Sequence, residues 1–226
     1  MTSKYPEMNI PKNDRKVPSL PRRTQCSLGR AEFNQPTLEV ARSLLGKFIV
    51  RRIGNRTLLA MLTEVEAYKG PRDRAAHSFG GRRTTRVEAL YGDGGTVYVY
   101  LIYGIHWMLN FSTGGRENPE GVLIRGILTD PTGTPKYLAG PGRVTKHLEI
   151  DKKLDRADAT VSRQIWIEHR GIRIPARAIR RGPRIGIDYA GAYWAARPWR
   201  FWIEKEVALN VLEALSDRHQ TIMELP

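Results

Sequence analysis

Two alternating runs joined by a glycine-asparagine reversal constrain this chain more than any other feature. Residues 47–52 and 57–68 each read as a strand, and Gly54-Asn55 supplies the backbone freedom for a tight turn between them. An antiparallel hairpin follows, and its unpaired edges call for more strands. Residues 96–102 and 107–112, joined near Tyr103-Gly104, and residues 121–129 supply them. Ahead of the hairpin, Leu38, Ala41, Leu44 and Leu45 recur at helical spacing, with Asn34 or Thr37 as caps and Gly46 as the stop. A short helix is predicted around residues 73–77, another over 141–148, and short late strands at 172–174, 184–187 and 199–203. The predicted fold class is α+β: a single mixed domain with a curved, mainly antiparallel β-sheet, surrounding helices and a protruding β-hairpin.

The net charge of +14 is unevenly spread. Residues 1–30 carry seven basic against two acidic residues, and residues 170–200 carry eight against one. Those two stretches hold nearly all of the excess, and clustered arginine suits a surface that tracks phosphates. It also suits a solvated face or an anionic membrane surface. Residues 1–30 lack hydrophobic period and read as a disordered basic arm, leaving 31–226 as one domain. The longest apolar run, 97–109, is broken by Gly104 and His106 and is too short to cross a bilayer, so no membrane association is expected. The N-terminus lacks the apolar stretch of a secretory signal, so export is not expected. A single cysteine, Cys26, rules out an internal disulfide and a paired-cysteine zinc module.

Within residues 57–68, alternation sets Glu64, Glu66 and Tyr68 on one face, carboxylates beside an aromatic ring. Such a face suits a general base next to a flat stacking partner, as hydrolysis of a glycosidic bond to a planar base requires. A half-exposed strand with its polar side in water would look the same. Tyr98 and Tyr100 share a face of the next strand, and a turn at Tyr103-Gly104 lifts Tyr103 to a tip, where it is either a wedge for a base stack or an ordinary cross-strand partner. None of the five histidines, His77 included, has metal-ligand spacing, and one cysteine is too few for a zinc-dependent base deaminase. Asn110 and Arg125 sit at or inside apolar strands, where polar groups need defined partners. Lys69 is the nearest amine for a covalent lyase mechanism, ranked below attack by water.

These residues fall into segments that resemble a known family. TEVEAYKGPRDRAAHS (63–78), GTVYVYLIYG (95–104), Asn110 in WMLNFS, Arg125 in GVLIRG and AGPGRV (139–144) are similar in order and spacing to the alkyladenine (3-methyladenine) DNA glycosylases, with a weaker match through RIGIDYAG and RPWRFWI. The resemblance covers roughly residues 31–205. It implies a monofunctional enzyme that flips and excises alkylated or deaminated purines (3-methyladenine, hypoxanthine, ethenoadenine) from double-stranded DNA by hydrolysis, with no metal or other cofactor, to begin base excision repair. It implies Glu66 as the catalytic carboxylate, Tyr68, His77 and Tyr100 as walls around the flipped base, and Tyr103 as the side chain that fills the vacated stack. Asn110 resembles the floor residue that rejects guanine's exocyclic amine, and Arg125 a residue holding the flipped nucleotide's backbone. Arg82, Arg83, Arg143 and Arg184 are the expected DNA-backbone contacts. A monomer is expected, acting in the cytoplasm or nucleoid of a bacterium or the nucleus of a eukaryote. Two features depart from the family pattern: two extra residues between Asn110 and Arg125, and Ala192 in place of an acidic residue. The alternative is a non-catalytic DNA- or RNA-binding protein, which would leave the Glu66 face without a role.

Overall fold

The glycine-asparagine reversal closes the expected hairpin. β1 (Phe48–Ile53) and β2 (Arg56–Tyr68) run antiparallel, with Ile53 opposite Arg56. A computed structural model describes residues 26–129 and 134–223, apart from the side chains of 216–223. Within them follow β3 (Val97–Ile102), β4 (His106–Thr113), β5 (Glu120–Thr129), β6 (Tyr137–Ala139), β7 (Ile165–Glu168), β8 (Arg180–Gly182) and β9 (Arg200–Trp202). All join one antiparallel sheet whose main path runs β3-β4-β5-β2-β1-β7. β2 is long enough to take two partners along one edge, β1 near its start and β9 near its end, while β5 follows its other edge. Diverging partners on one edge curl the sheet.

The pleat divides the sheet's residues between two faces. Val65, Ala67, Val97, Val99, Leu109, Phe111, Val122 and Ile124 point into the main core, together with Val40, Ala41 and Leu44 of the helix Thr37–Leu44. Each such side chain removed from water contributes about 1.5–3 kcal/mol before the entropy of ordering is subtracted. The intervening residues form the opposite face. A bulge at Thr63 shifts the register of β2 against β5, and Gly126 stands opposite Glu64 there. A Cβ on Gly126 would come within 2.8 Å of the Glu64 Cβ, so glycine is what lets Glu64 take its place.

Several expectations are corrected. The chain packs on the sheet from Cys26 to Leu28 onward, through Leu28 N–H to Ile167 O and His169 N–H to Cys26 O, ahead of the expected boundary at residue 30. Arg30, counted with the arm, is paired with Asp158. Residues 1–25 of the expected arm lie outside the described residues. Asn34 ends the short helix Arg30–Phe33, and Pro36 rather than Asn34 or Thr37 occupies the cap of the next helix. In place of a helix at 73–77 there is a 3-10 turn, Gly70–Arg72, followed by turns, because the Asp73 carboxylate accepts the N–H groups of Lys69 and Ala75. Among the described residues, 172–174 pair with no strand. Ile172 and Ile174 instead pack onto the core, next to Gly46. The late strand lies at Arg180–Gly182 rather than 184–187, since the chain turns at Arg184 to bury its side chain. β7 and the C-terminal helix Lys205–Met223 were not anticipated.

Candidate active site

The face of the sheet away from the main core carries a transverse row of four side chains, three of them polar. Glu66 pairs in register with Leu123, Leu123 with Asn110, and Asn110 with Tyr98, so the row crosses β2, β5, β4 and β3. This row floors a cavity of about 970 Å³, a size suited to an extruded nucleotide. The walls include Tyr68, His77, Tyr100 and Met108, and one side is closed by Ile185–Tyr189, the segment that follows β8. The sequence-predicted catalytic residue Glu66 and the predicted substrate-binding residues Tyr68, His77, Tyr100, Asn110 and Arg125 all border the one cavity.

Glu66 is fully buried. Its Oε2 accepts the Tyr68 hydroxyl at 2.9 Å, and its Oε1 accepts the Ile185 N–H at 2.9 Å and faces Arg125 Nε at 3.4 Å. A carboxylate has about four acceptor positions; the Tyr68 and Ile185 hydrogen bonds fill one on each oxygen, and Arg125, whose single Nε–H goes to Glu64, is an ion-pair contact, so acceptor positions remain for a water molecule. Burial nevertheless pushes the Glu66 carboxyl above its ordinary range, against the lowering effects of Arg125, Ile185 and Tyr68. Arg125 is shared: its Nε also lies 3.2 Å from Glu64 Oε1, which Arg200 approaches at 3.1 Å. Glu64 thus holds Arg125 in the cavity wall. Burial raises both the Tyr68 and the Tyr100 hydroxyls well above their usual value, so both stay protonated.

The aromatic wall is interlocked. His77 meets Tyr100 edge-on with centroids 4.6 Å apart, and Tyr100 stacks on Tyr98 at 5.1 Å. His77 Nδ1 lies 2.8 Å from the Tyr98 hydroxyl. Burial, followed by the charges of Arg86 and Arg82, lowers the His77 pKa to about 4, so the ring is neutral at pH 7. Asn110 is buried and donates Nδ2–H to Tyr98 O at 3.2 Å, which fixes its amide at the cavity floor. Tyr103 stands 87% exposed at the hairpin tip beyond β3, with a positive φ of 52°.

The expected backbone contacts divide. Arg82 and Arg143 are exposed, and Arg143 borders the cavity. Arg83 is exposed but held by Glu88 and Glu117. Arg184 is corrected outright: its side chain has no exposed surface and is paired with Asp73, so it cannot reach a phosphate. Sequence reasoning missed Arg86 and Lys146, two further exposed cations at the cavity, and the Ile185 N–H, which as a backbone group leaves no signature. Ala192, where the family pattern is broken, is exposed and outside the cavity wall.

Comparison with known proteins gives a consistent result. The family model "Methylpurine-DNA glycosylase (MPG)" matches residues 31–207. Three bacterial relatives each bear the name "Putative 3-methyladenine DNA glycosylase". The protein of Borrelia garinii subsp. bavariensis is 38% identical over 180 residues, covering 78% of this chain and 96% of its own length. That of Psychrobacter cryohalolentis is 42% identical over 180 residues, covering 70% and 84%. That of Desulfitobacterium hafniense is 36% identical over 205 residues, covering 81% and 98%.

Proposed function

The chain belongs to the methylpurine-DNA glycosylase family, enzymes that hydrolyse N-glycosyl bonds in DNA, and on that premise we propose how its cavity does so. A base inside a duplex gives water no route to its glycosidic bond, so the nucleotide must leave the stack, at least cost where damage has weakened the pair. Tyr103 inserts into the gap it leaves. The flipped purine enters the cavity between the rings of Tyr68, His77 and Tyr100, and Arg125 holds its sugar-phosphate. Glu66 takes a proton from the attacking water and stabilises the oxocarbenium-like sugar as the base departs. The observation that carries this reading is the buried Glu66 carboxylate, hydrogen-bonded once on each oxygen and with acceptor positions left for water, at the floor of an aromatic cavity.

Two features favour alkylated purines. Aromatic faces attract a cationic base such as 3-methyladenine, and a His77 that stays neutral does not repel it. Such a base also leaves without protonation. Hypoxanthine and ethenoadenine, flat and lacking guanine's amine, are accepted by the same floor, whereas Asn110 excludes that amine. No metal or other cofactor enters this scheme. We take the enzyme to act as a monomer, and the bacterial relatives support a place at the nucleoid.

The test is single-turnover excision on duplexes holding hypoxanthine or ethenoadenine and on methylated DNA, with a chelator present. Glu66→Gln is expected to bind lesions like wild type and to lose base release by about 10² or more. Near-normal release by that variant would remove Glu66 from the mechanism.

A further inference from the structure

Asp73 and Arg184 form a buried ion pair beside the cavity without lining it. Neither side chain has exposed surface. Arg184 forks onto both carboxylate oxygens of Asp73, and its Nη1 also donates to Ala67 O at 3.0 Å. Its guanidinium lies between the Tyr68 ring, 4.6 Å away, and the Trp199 ring, 5.0 Å away. The Asp73 oxygens also accept the N–H groups of Lys69 and Ala75, each at 3.0 Å.

The pair therefore touches three separate stretches of the site. Ala67 lies in β2 between Glu66 and Tyr68. Asp73 organises the turns that lead to His77. Arg184 directly precedes Ile185, whose N–H is bonded to Glu66. A buried ion pair gives little net stability, because the desolvation of both charges offsets their attraction. Its geometric effect is larger: a planar bidentate fork clamped between two rings fixes position and angle together.

We propose that the Asp73–Arg184 pair is the positioning element for excision, holding the Ile185 N–H on Glu66 and the Tyr68 ring against the cavity so that the carboxylate meets the attacking water correctly oriented. This rests on Glu66 being the catalytic carboxylate. The groups that face Glu66 are Glu64 and Tyr68 on β2, Arg125 on β5, Tyr100 on β3, and Tyr189 and the Ile185 N–H from the segment after β8. Of these, the pair fixes the Ile185 N–H and the Tyr68 ring, and the Ile185 N–H and the Tyr68 hydroxyl both donate to the charged carboxylate.

Asp73→Asn keeps the shape while leaving Arg184 without a counter-charge, and Asp73→Asn/Arg184→Met removes the unpaired cation as well, so a folded variant is available if the single one unfolds. Excision rate constants and lesion affinities are measured separately on full-length protein across pH. The excision step is expected to fall roughly 10- to 100-fold, with lesion affinity changed less than about threefold. The acid limb of the rate should move to higher pH, because Glu66 loses donors that favour its charge. Wild-type rate and limb in the folded double variant would overturn the proposal. So would a lower melting temperature with an unmoved limb, the mark of a purely structural pair. Glu66→Gln, run alongside, separates the two levels: its loss of activity beside intact pair variants sinks the positioning role alone, whereas its full activity sinks the reading beneath it.

Discussion

Glu66 and His77 have their titration moved in opposite directions by the same burial. Burial raises the Glu66 pKa, so the folded state holds this proton more tightly than the unfolded chain does. The resulting stability penalty is absent below the unfolded value near 4.5 and is fully present above the folded value. Glu66→Gln should therefore melt higher than wild type at neutral pH, with the gap closing in acid. Activity runs the other way, since the base must be ionised: excision of a cationic purine should fall as pH drops through a value above 4.5. His77 has its folded pKa lowered from 6.5 to about 4. The stability tied to its neutral form is complete above 6.5 and is lost as pH falls toward 4, by about 3 kcal/mol once both states are protonated. His77→Gln should lose correspondingly less stability over that window in denaturant melts. Equal acid sensitivity in the two proteins would mean that His77 takes up its proton without cost.

At the scale of elements, the β3–β4 hairpin joins function to backbone strain. Tyr103 holds a left-handed φ that a bulky residue adopts at a cost of about 1–2 kcal/mol, yet its ring packs on little and is exposed. Tyr103→Asn should relieve part of that strain and raise stability by about 1 kcal/mol, while weakening lesion binding because nothing then fills the vacated stack. Unchanged lesion affinity would argue against the wedge. β1 to β5 were legible because alternation and glycine turns are local signals. β7, Ile-Trp-Ile-Glu, is buried throughout and shows no polar-apolar alternation, so nothing marked it. The segment 172–187 misled for a different reason. Its isoleucines look like strand residues, but its path is set by Arg184 turning inward to Asp73, 111 residues away. The site shows the same division: the Glu66-Tyr68 face and the Tyr98-Tyr100 face follow from period two, whereas the Ile185 N–H reaches Glu66 only through tertiary packing.

For the whole molecule, the count of 37 lysines and arginines overstates the cations available to DNA. Arg30, Arg83, Arg125, Arg184 and Arg200 are all engaged with carboxylates of the fold. Arg82, Arg86, Arg143 and Lys146 remain exposed, with the last three at the rim of the cavity. Arg86, Arg143 and Lys146 thus place positive charge where the base enters, and each cation on a phosphate adds about 0.9 to the slope of log K against log salt. Arg143→Ala should lower that slope by about one on undamaged and damaged duplexes alike. Arg83→Ala, which removes a charge already neutralised by Glu88 and Glu117, should leave it unchanged. Deleting residues 1–25, with six basic and two acidic side chains, should lower the slope by more than either substitution if that segment also lies on phosphate. Equal slope changes for Arg83→Ala and Arg143→Ala would show that affinity follows total charge rather than its placement, and the rim of the cavity would lose its special role.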